Sequence, residues 1–120
     1  MRILFFMNPI QNYFLKIPEP EQSMLLYIRD QILHSGELMS ETFSFQLPFL
    51  KYKGKMLCFF HYSKKHKRYY LSFYHGDRLQ HPLLLSEGRK KFKILLLNPD
   101  EDIPIDLIMD FVNQVKKMTK

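Results

Sequence analysis

The acidic side chains that could bind a metal ion form two groups in this sequence. Glu37 and Glu41 lie near a predicted chain reversal, and Asp100, Glu101 and Asp102 precede the last predicted helix. Iron and other hard cations take carboxylate and imidazole ligands, but helix caps and solvated turns use the same acidic residues. No pair of Cys or His residues has the spacing of a zinc site. Iron binding at these carboxylates and a purely structural role in turns are therefore two open alternatives.

The sequence has one thiol, Cys58, that could act as a nucleophile. We expect it in the core, because its predicted neighbours on one strand face are Met56, Phe60 and Phe73, and buried cysteines behave as small apolar residues. That face carries no lysine or histidine that would lower the thiol pKa. The sequence contains four glycines, with no Gly-x-Ser-x-Gly string and no glycine-rich phosphate loop. It therefore predicts a protein that is not an enzyme.

Aromatic and basic residues are densest in one stretch, residues 39–74. In the strand register given below, one sheet face displays aromatic and imidazole side chains and is flanked by two lysines. This predicted partner face consists of Phe59, His61, Tyr70, Tyr74, Lys91 and Lys93. The adjoining basic loop consists of Lys64, Lys65, His66, Lys67 and Arg68.

This combination of rings and positive charge has three interpretations. Aromatic rings beside basic side chains are how sheets bind single-stranded nucleic acid, and the formal charge of +6 suits that or another anionic partner. A tyrosine-rich sheet face is equally typical of a homodimer interface. Since tyrosine is also a good strand former, an ordinary exposed surface is the third interpretation.

The clearest structural element is a hairpin closed by the basic loop. If that loop is centred symmetrically, Phe60 faces Leu71 and Cys58 faces Phe73. A slip by one residue would exchange the two faces of the sheet. The predicted register therefore depends on the uniformly apolar face being the buried one.

Two further strands and three helices complete the expected fold. Strands over residues 41–47 and 92–97 alternate apolar and polar side chains. Their buried residues are expected to be Phe43, Phe45, Leu47, Phe92, Ile94 and Leu96. Helices are expected over 9–15, from about 19 to 34, and from 104 onward, with apolar residues at helical spacing. This order predicts a two-layer α+β fold, in which a mainly antiparallel sheet of four to five strands has the N-terminal and C-terminal helices packed on one face.

Length and composition bound the class of protein. A chain of 120 residues is expected to form one domain, here over residues 8–120. Residues 1–7 are expected to be either an upstream extension or an added edge strand. A single cysteine predicts a reducing, cytoplasmic location. No apolar run approaches the ~20 residues of a membrane helix, so no membrane partner is expected.

The order of the elements and several short strings resemble the YdhG-like superfamily, small bacterial domains of which some are described as frataxin-like iron chaperones. The resemblance spans about residues 8–117. It is carried by Pro18-Glu19 before a helix, Glu41, Phe45-Gln46-Leu47-Pro48-Phe49, Gly54-Lys55 before an aromatic strand, Lys64-Lys65-His66 and the closing Ile103-Pro104 helix. Such members usually have a Tyr-Gly-Met-Pro-like string where this chain has Phe45-Gln46-Leu47-Pro48. The resemblance implies a non-enzymatic binding module whose ligand is unresolved, with intracellular iron handling as the role described for some members.

Overall fold

The computed structural model of the protein describes residues 8–120, so the prediction for residues 1–7 lies outside the described part of the chain. Within it, three α-helices and six β-strands follow one another with short connections. The elements are α1 (Pro9–Leu15), α2 (Glu21–Leu33), β1 (Met39–Ser44), β2 (Leu47–Tyr52), β3 (Lys55–Ser63), β4 (Arg68–Tyr74), a 3-10 turn (Gly76–Arg78), β5 (Leu84–Leu85), β6 (Phe92–Leu96) and α3 (Ile105–Met118).

All six strands pair antiparallel in one sheet of order β1-β2-β3-β4-β6-β5. The prediction of an α+β fold with N-terminal and C-terminal helices is confirmed, but the sheet has six strands instead of four to five. One difference is the short strand β5, which pairs with Leu95 and Ile94 of β6. The other is at the first predicted strand. It ends at Ser44, which pairs with Leu47, and Phe45 and Gln46 form a two-residue turn.

The register of the central hairpin is the predicted one, with Cys58 opposite Phe73 and Phe60 opposite Leu71. All four side chains are fully buried. Burying a phenylalanine contributes roughly 2–3 kcal/mol relative to leaving it exposed. The register that buries the uniformly apolar face is therefore favoured over the register that is slipped by one residue.

The three helices pack on this same face of the sheet. The ring of Phe14 in α1 lies edge-on to Phe60 at 5.6 Å, and Phe111 in α3 lies edge-on to Phe73 at 5.4 Å. From α2, the guanidinium of Arg29 binds both carboxylate oxygens of Glu41 in β1. The helices and the sheet therefore form two layers around one core.

The two faces of strand β6 are exchanged relative to the prediction. Phe92, Ile94 and Leu96 were expected to point towards the helices, but Ile94 pairs with Ser72 and so lies on the opposite face. Lys93 pairs with Phe73 on the helix side, where its ammonium donates a 2.8 Å hydrogen bond to the carbonyl oxygen of Leu79. A long lysine can lie along apolar surface while its charged end reaches a polar group, so Lys93 did not mark the solvent side.

None of the described helices combines the length and the apolar composition needed to cross a membrane.

Candidate nucleic-acid interface

The basic loop and the first turn of the sheet lie at the same end of the molecule. Successive antiparallel strands reverse direction, so the β1–β2 and β3–β4 connections leave the sheet at one end and the β2–β3 connection leaves it at the other. We call the first of these the hairpin end and define it by residues 44–47 and 63–68.

The loop at the hairpin end is open to solvent and strongly basic. Lys64, Lys65, Lys67 and Arg68 are exposed, and His66 is half-buried. The backbone N–H of His66 donates to Ser63 Oγ at 3.1 Å, which gives the loop an internal hydrogen bond. The sequence predicted this cluster, and the structure places its cationic side chains on one exposed surface.

Glu87 ties a second loop to the basic loop. Its carboxylate lies 2.6 Å from Nε2 of His66, 3.5 Å from Nζ of Lys65 and 3.6 Å from Nη1 of Arg89. The hydrogen bond to His66, followed by the charges of His66 and Lys65, lowers the pKa of Glu87. One acidic side chain therefore already occupies part of the positive surface.

The predicted partner face is packed more closely than expected. Phe59, His61, Tyr70 and Tyr74 do lie on one face of the sheet, opposite the helices, which we call the outer face. Tyr70 is 5 % exposed, because the guanidinium of Arg89 lies 5.6 Å from its ring centroid and 3.5 Å from its hydroxyl. Tyr70 is therefore not available for stacking on a partner.

The remaining rings of the outer face pack on one another. Phe59 stacks on Phe49 at 4.8 Å and lies edge-on to Phe92 at 5.5 Å, and Phe92 in turn contacts Tyr74 at 5.3 Å. The two lysines that were expected to flank this face do not both do so. Lys93 lies on the helix side, as described above, and Lys91 precedes β6 with its ammonium 4.0 Å from Asp77.

Phe45 is the most exposed large apolar side chain among the described residues, at 86 %. It was expected on the buried side of a strand, but it occupies the β1–β2 turn with Gln46, and both residues have positive φ, 53° and 64°. Two-residue hairpin turns with positive φ at both positions normally contain Asn or Gly. The β2–β3 turn follows that rule, with Lys53 at 55° and Gly54 at 75°. The strain at Phe45 and Gln46 marks this turn as a candidate for function.

Beside this turn is a cleft of about 600 Å³ between α1 and the hairpin end. Within residues 8–120 it is lined by Pro9, Asn12, Tyr13, Lys16, Ile17, Phe43, Phe45, Gln46, Leu47, His61, Tyr62 and Tyr69. Its aromatic wall includes Tyr62 and Tyr69, whose rings lie 4.9 Å apart. Tyr62 is 39 % exposed.

Burial shifts the titration of three groups in the cleft. It raises the pKa of Tyr13 and of Tyr69, with smaller contributions from neighbouring tyrosines and, for Tyr69, from Glu21. It also lowers the pKa of His61, to which the charge of Arg89 adds. At neutral pH the cleft therefore presents uncharged hydroxyls and a neutral imidazole.

Sequence reasoning identified His61 but missed Tyr13, Phe45, Tyr62 and Tyr69 as residues of one site. They come from α1, a turn and two strands, so no local spacing connects them. No local signal identified the β1–β2 turn either, because Phe45 and Gln46 are not the Asn or Gly that usually occupy a two-residue hairpin turn.

The carboxylates considered for metal binding are not brought together. Both oxygens of Glu41 bind Arg29, and Glu37 is exposed in the turn before β1. The strands β1 and β6 have three others between their positions in the sheet order, which puts them about 19 Å apart at the usual strand spacing. The group Asp100, Glu101 and Asp102 follows β6 and is exposed. Within residues 8–120 no three His, Cys, Asp or Glu side chains are placed to share a metal ion.

Cys58 is fully buried, as the sequence predicts, and this burial raises the pKa of its thiol. A protonated thiol without access to solvent is a poor nucleophile. Cys58 therefore serves to fill the core.

Comparison with protein-family models, curated proteins and solved structures found no match to this chain. The resemblance to the YdhG-like superfamily stays a prediction from the residues.

Proposed function

We propose that this protein is a non-enzymatic module that binds single-stranded nucleic acid at the hairpin end. The observation that carries the proposal is that the exposed side chains of Phe45 and Tyr62 line one cleft, at the same end of the sheet as Lys64, Lys65 and Arg68. Rings of this kind bind unpaired bases by stacking, which is worth about 1–3 kcal/mol per base. The cationic groups next to them suit the phosphates of the same strand.

The proposal specifies a single strand because of the kind of groups that are exposed. Aromatic side chains can stack only on bases that are not already stacked in a duplex. The chain has a formal charge of +6, and Glu87 is the acidic side chain that the structure places within 4 Å of the basic loop. A positive surface of this kind draws an anionic polymer towards it.

The other two hypotheses from the sequence have less support. A homodimer through Phe59, Tyr70 and Tyr74 would need rings that are already covered by Arg89 or stacked on their neighbours. An iron role, which the YdhG-like resemblance implies, would need carboxylates of which Glu41 is already bound to Arg29. A cytoplasmic location, supported by the single cysteine, is part of the same proposal and gives access to nucleic acid.

The direct test is fluorescence anisotropy with a labelled oligothymidylate of about 12 nucleotides, a length within the usual site sizes for single strands. We expect saturable binding whose affinity falls with salt. For single strands the slope of log K against log salt is about −0.7 per phosphate neutralised. That slope should therefore be no steeper than about −3.5 if five cations contact phosphates. The five are Lys16, Lys64, Lys65, Lys67 and Arg68.

Two matched triple variants separate a site from a general charge effect. Changing Lys64, Lys65 and Arg68 to Ala should weaken binding and reduce the salt slope. Changing three exposed lysines at the opposite end, Lys53, Lys55 and Lys117, removes the same charge. That end is defined by the β2–β3 turn and by the 2.9 Å contact of the Lys55 ammonium with the last carbonyl of the chain. Equal losses in both variants, or no saturable binding by the unchanged protein, would refute the proposal.

A further inference from the structure

We infer that the cleft between α1 and the hairpin end is a subsite for a single nucleotide, a nucleoside monophosphate unit whose base leaves the strand and enters the cleft. The inference rests on the proposed function, because it names what the same end of the molecule does with one unit of the bound strand.

The size of the cleft suits such a unit. At about 600 Å³ it lies in the middle of the range of 300–1,000 Å³ that is usual for small-molecule sites. It opens at the surface beside the basic loop, since Tyr62 and Tyr69 both line it and are the residues just outside the Ser63–Arg68 pair. A strand whose phosphates lie along that loop would therefore run directly to the opening.

The lining combines the chemistry that a nucleotide requires. Apolar walls from Ile17, Phe43 and Leu47 favour a flat heterocycle, and the aromatic groups of Phe45, Tyr62 and His61 offer faces for stacking. The hydroxyls of Tyr13 and Tyr69 and the amides of Asn12 and Gln46 can hydrogen-bond with the uncharged polar edge of a base. All of these side chains line the cleft.

The charge of the lining favours an anionic ligand, such as a nucleotide, over a cationic one. No acidic residue lines the cleft among residues 8–120, whereas Lys16 does line it and is exposed at the end of α1. The ammonium of Lys16 is available for the phosphate that is attached to the inserted base. A cation would find no counter-charge in this lining.

The strained backbone of the β1–β2 turn supports the nucleotide subsite independently of the size and lining of the cleft. Phe45 and Gln46 both line the cleft, and both occupy left-handed backbone conformations that side chains rarely adopt. The ring of Phe45 gains little from the fold, because it is 86 % exposed and its nearest aromatic contact is Phe49 at 6.4 Å. The backbone strain of this turn destabilises the fold, and its exposed aromatic ring lies at a cleft. Both features are expected if a ligand stacks on that ring.

The test uses thymidine 5′-monophosphate as the probe, titrated into the full chain and followed by NMR and calorimetry, with inorganic phosphate and the oligothymidylate as comparisons. Three variants separate the cleft from the basic loop. Tyr13→Phe removes one hydroxyl, Phe45→Ala removes an exposed ring that the fold does not need, and the Lys64, Lys65 and Arg68 triple variant leaves the cleft intact.

We expect the monophosphate to bind saturably and inorganic phosphate to bind far more weakly. Tyr13→Phe should lower the affinity for the monophosphate by about 2- to 12-fold, the worth of one hydrogen bond, and should lower the oligonucleotide affinity by the same factor. Phe45→Ala should weaken both ligands as well. The triple variant should weaken the oligonucleotide and leave the monophosphate unchanged.

The outcomes distinguish the two proposals. Oligonucleotide binding that responds to the triple variant and to Phe45→Ala but not to Tyr13→Phe, with no saturable binding of the monophosphate, would overturn the nucleotide subsite and leave the proposed function standing. Oligonucleotide binding that Phe45→Ala leaves unchanged would refute both proposals, since both assign a base to that ring. Monophosphate binding in the cleft without oligonucleotide binding would refute the proposed function, and it would overturn the inference that the bound nucleotide is a unit of a strand. If neither ligand binds to a protein that circular dichroism shows to be folded, both are wrong.

Discussion

Replacing Gln46 with glycine should make the protein more stable, because this position lies in a region of backbone conformation that glycine adopts freely. Gln46 has a φ of 64° in a turn of two residues. The left-handed conformation costs an L-residue about 1–2 kcal/mol. Glycine avoids that cost but has more conformational freedom to lose on folding, about 0.5–1 kcal/mol. The expected net gain in the free energy of unfolding is therefore about 0.5–1 kcal/mol.

The second tight turn supplies the reciprocal experiment. Gly54 has a φ of +75°, and a Cβ added there would meet nothing within 4 Å. The change Gly54→Gln therefore introduces backbone strain without a steric clash, and it should lower the free energy of unfolding by a similar 0.5–1 kcal/mol. The two variants exchange the same pair of residues in the same kind of turn at opposite ends of one strand.

Urea denaturation followed by circular dichroism measures both changes, with thermal melting as a second reading. A shift of 0.5–1 kcal/mol corresponds to about 2–5 °C in the melting temperature of a domain of this size. Opposite shifts of similar size would support the strain argument. If Gln46→Gly lowers stability, or if Gly54→Gln has no effect, backbone strain does not describe the β1–β2 turn.

Three shorter predictions concern charge and association. Glu87→Gln should raise the affinity for oligothymidylate, because it frees Lys65 and His66; unchanged or weaker affinity would mean that Glu87 does not compete with phosphate. The fold lowers the pKa of Glu87, so its carboxylate stabilises the unchanged protein at pH values above the ordinary carboxyl pKa of 4.5. The difference in the free energy of unfolding between the unchanged protein and Glu87→Gln should therefore fade as the pH falls below that value. Ferrous iron should give no saturable heat in an anaerobic calorimetric titration, carried out in about 150 mM salt so that weak electrostatic attraction is screened. Saturable heat that Glu37→Gln abolishes would restore the iron hypothesis. Sedimentation over a concentration series should show a monomer, since Tyr70 is covered by Arg89, and a concentration-dependent dimer would favour the homodimer hypothesis.

The fold was predictable where one face of a strand was uniformly apolar. Cys58, Phe60, Leu71 and Phe73 left a single way to bury the central hairpin, and the structure has that register. Strand β6 lacked such a contrast because it is apolar on both faces, and Lys93 wrongly marked one of them as outward. Its ammonium reaches the Leu79 carbonyl at the edge of the core, a contact between residues 14 apart that local alternation does not encode.

Of the candidate site, the sequence predicted the charged loop and His61. The basic loop is contiguous in sequence, so its surface followed from the hairpin. The β1–β2 turn lacked the glycine or asparagine that identifies such turns, and the alternation of Phe43, Phe45 and Leu47 continued through it as if it were a strand. The cleft required tertiary contacts between α1 and two strands, which periodicity does not reveal.

The order of strand pairing has a consequence for how the chain folds. The strands β1, β2 and β3 each pair with the next strand in sequence, through connections of two, two and four residues. Closing such short loops costs little chain entropy, so this meander can form early and quickly. The pairing of β4 with β6 must instead close the 17 residues between Tyr74 and Phe92. Substitutions in the meander should therefore act mainly on the folding rate, and substitutions in β6 mainly on the unfolding rate.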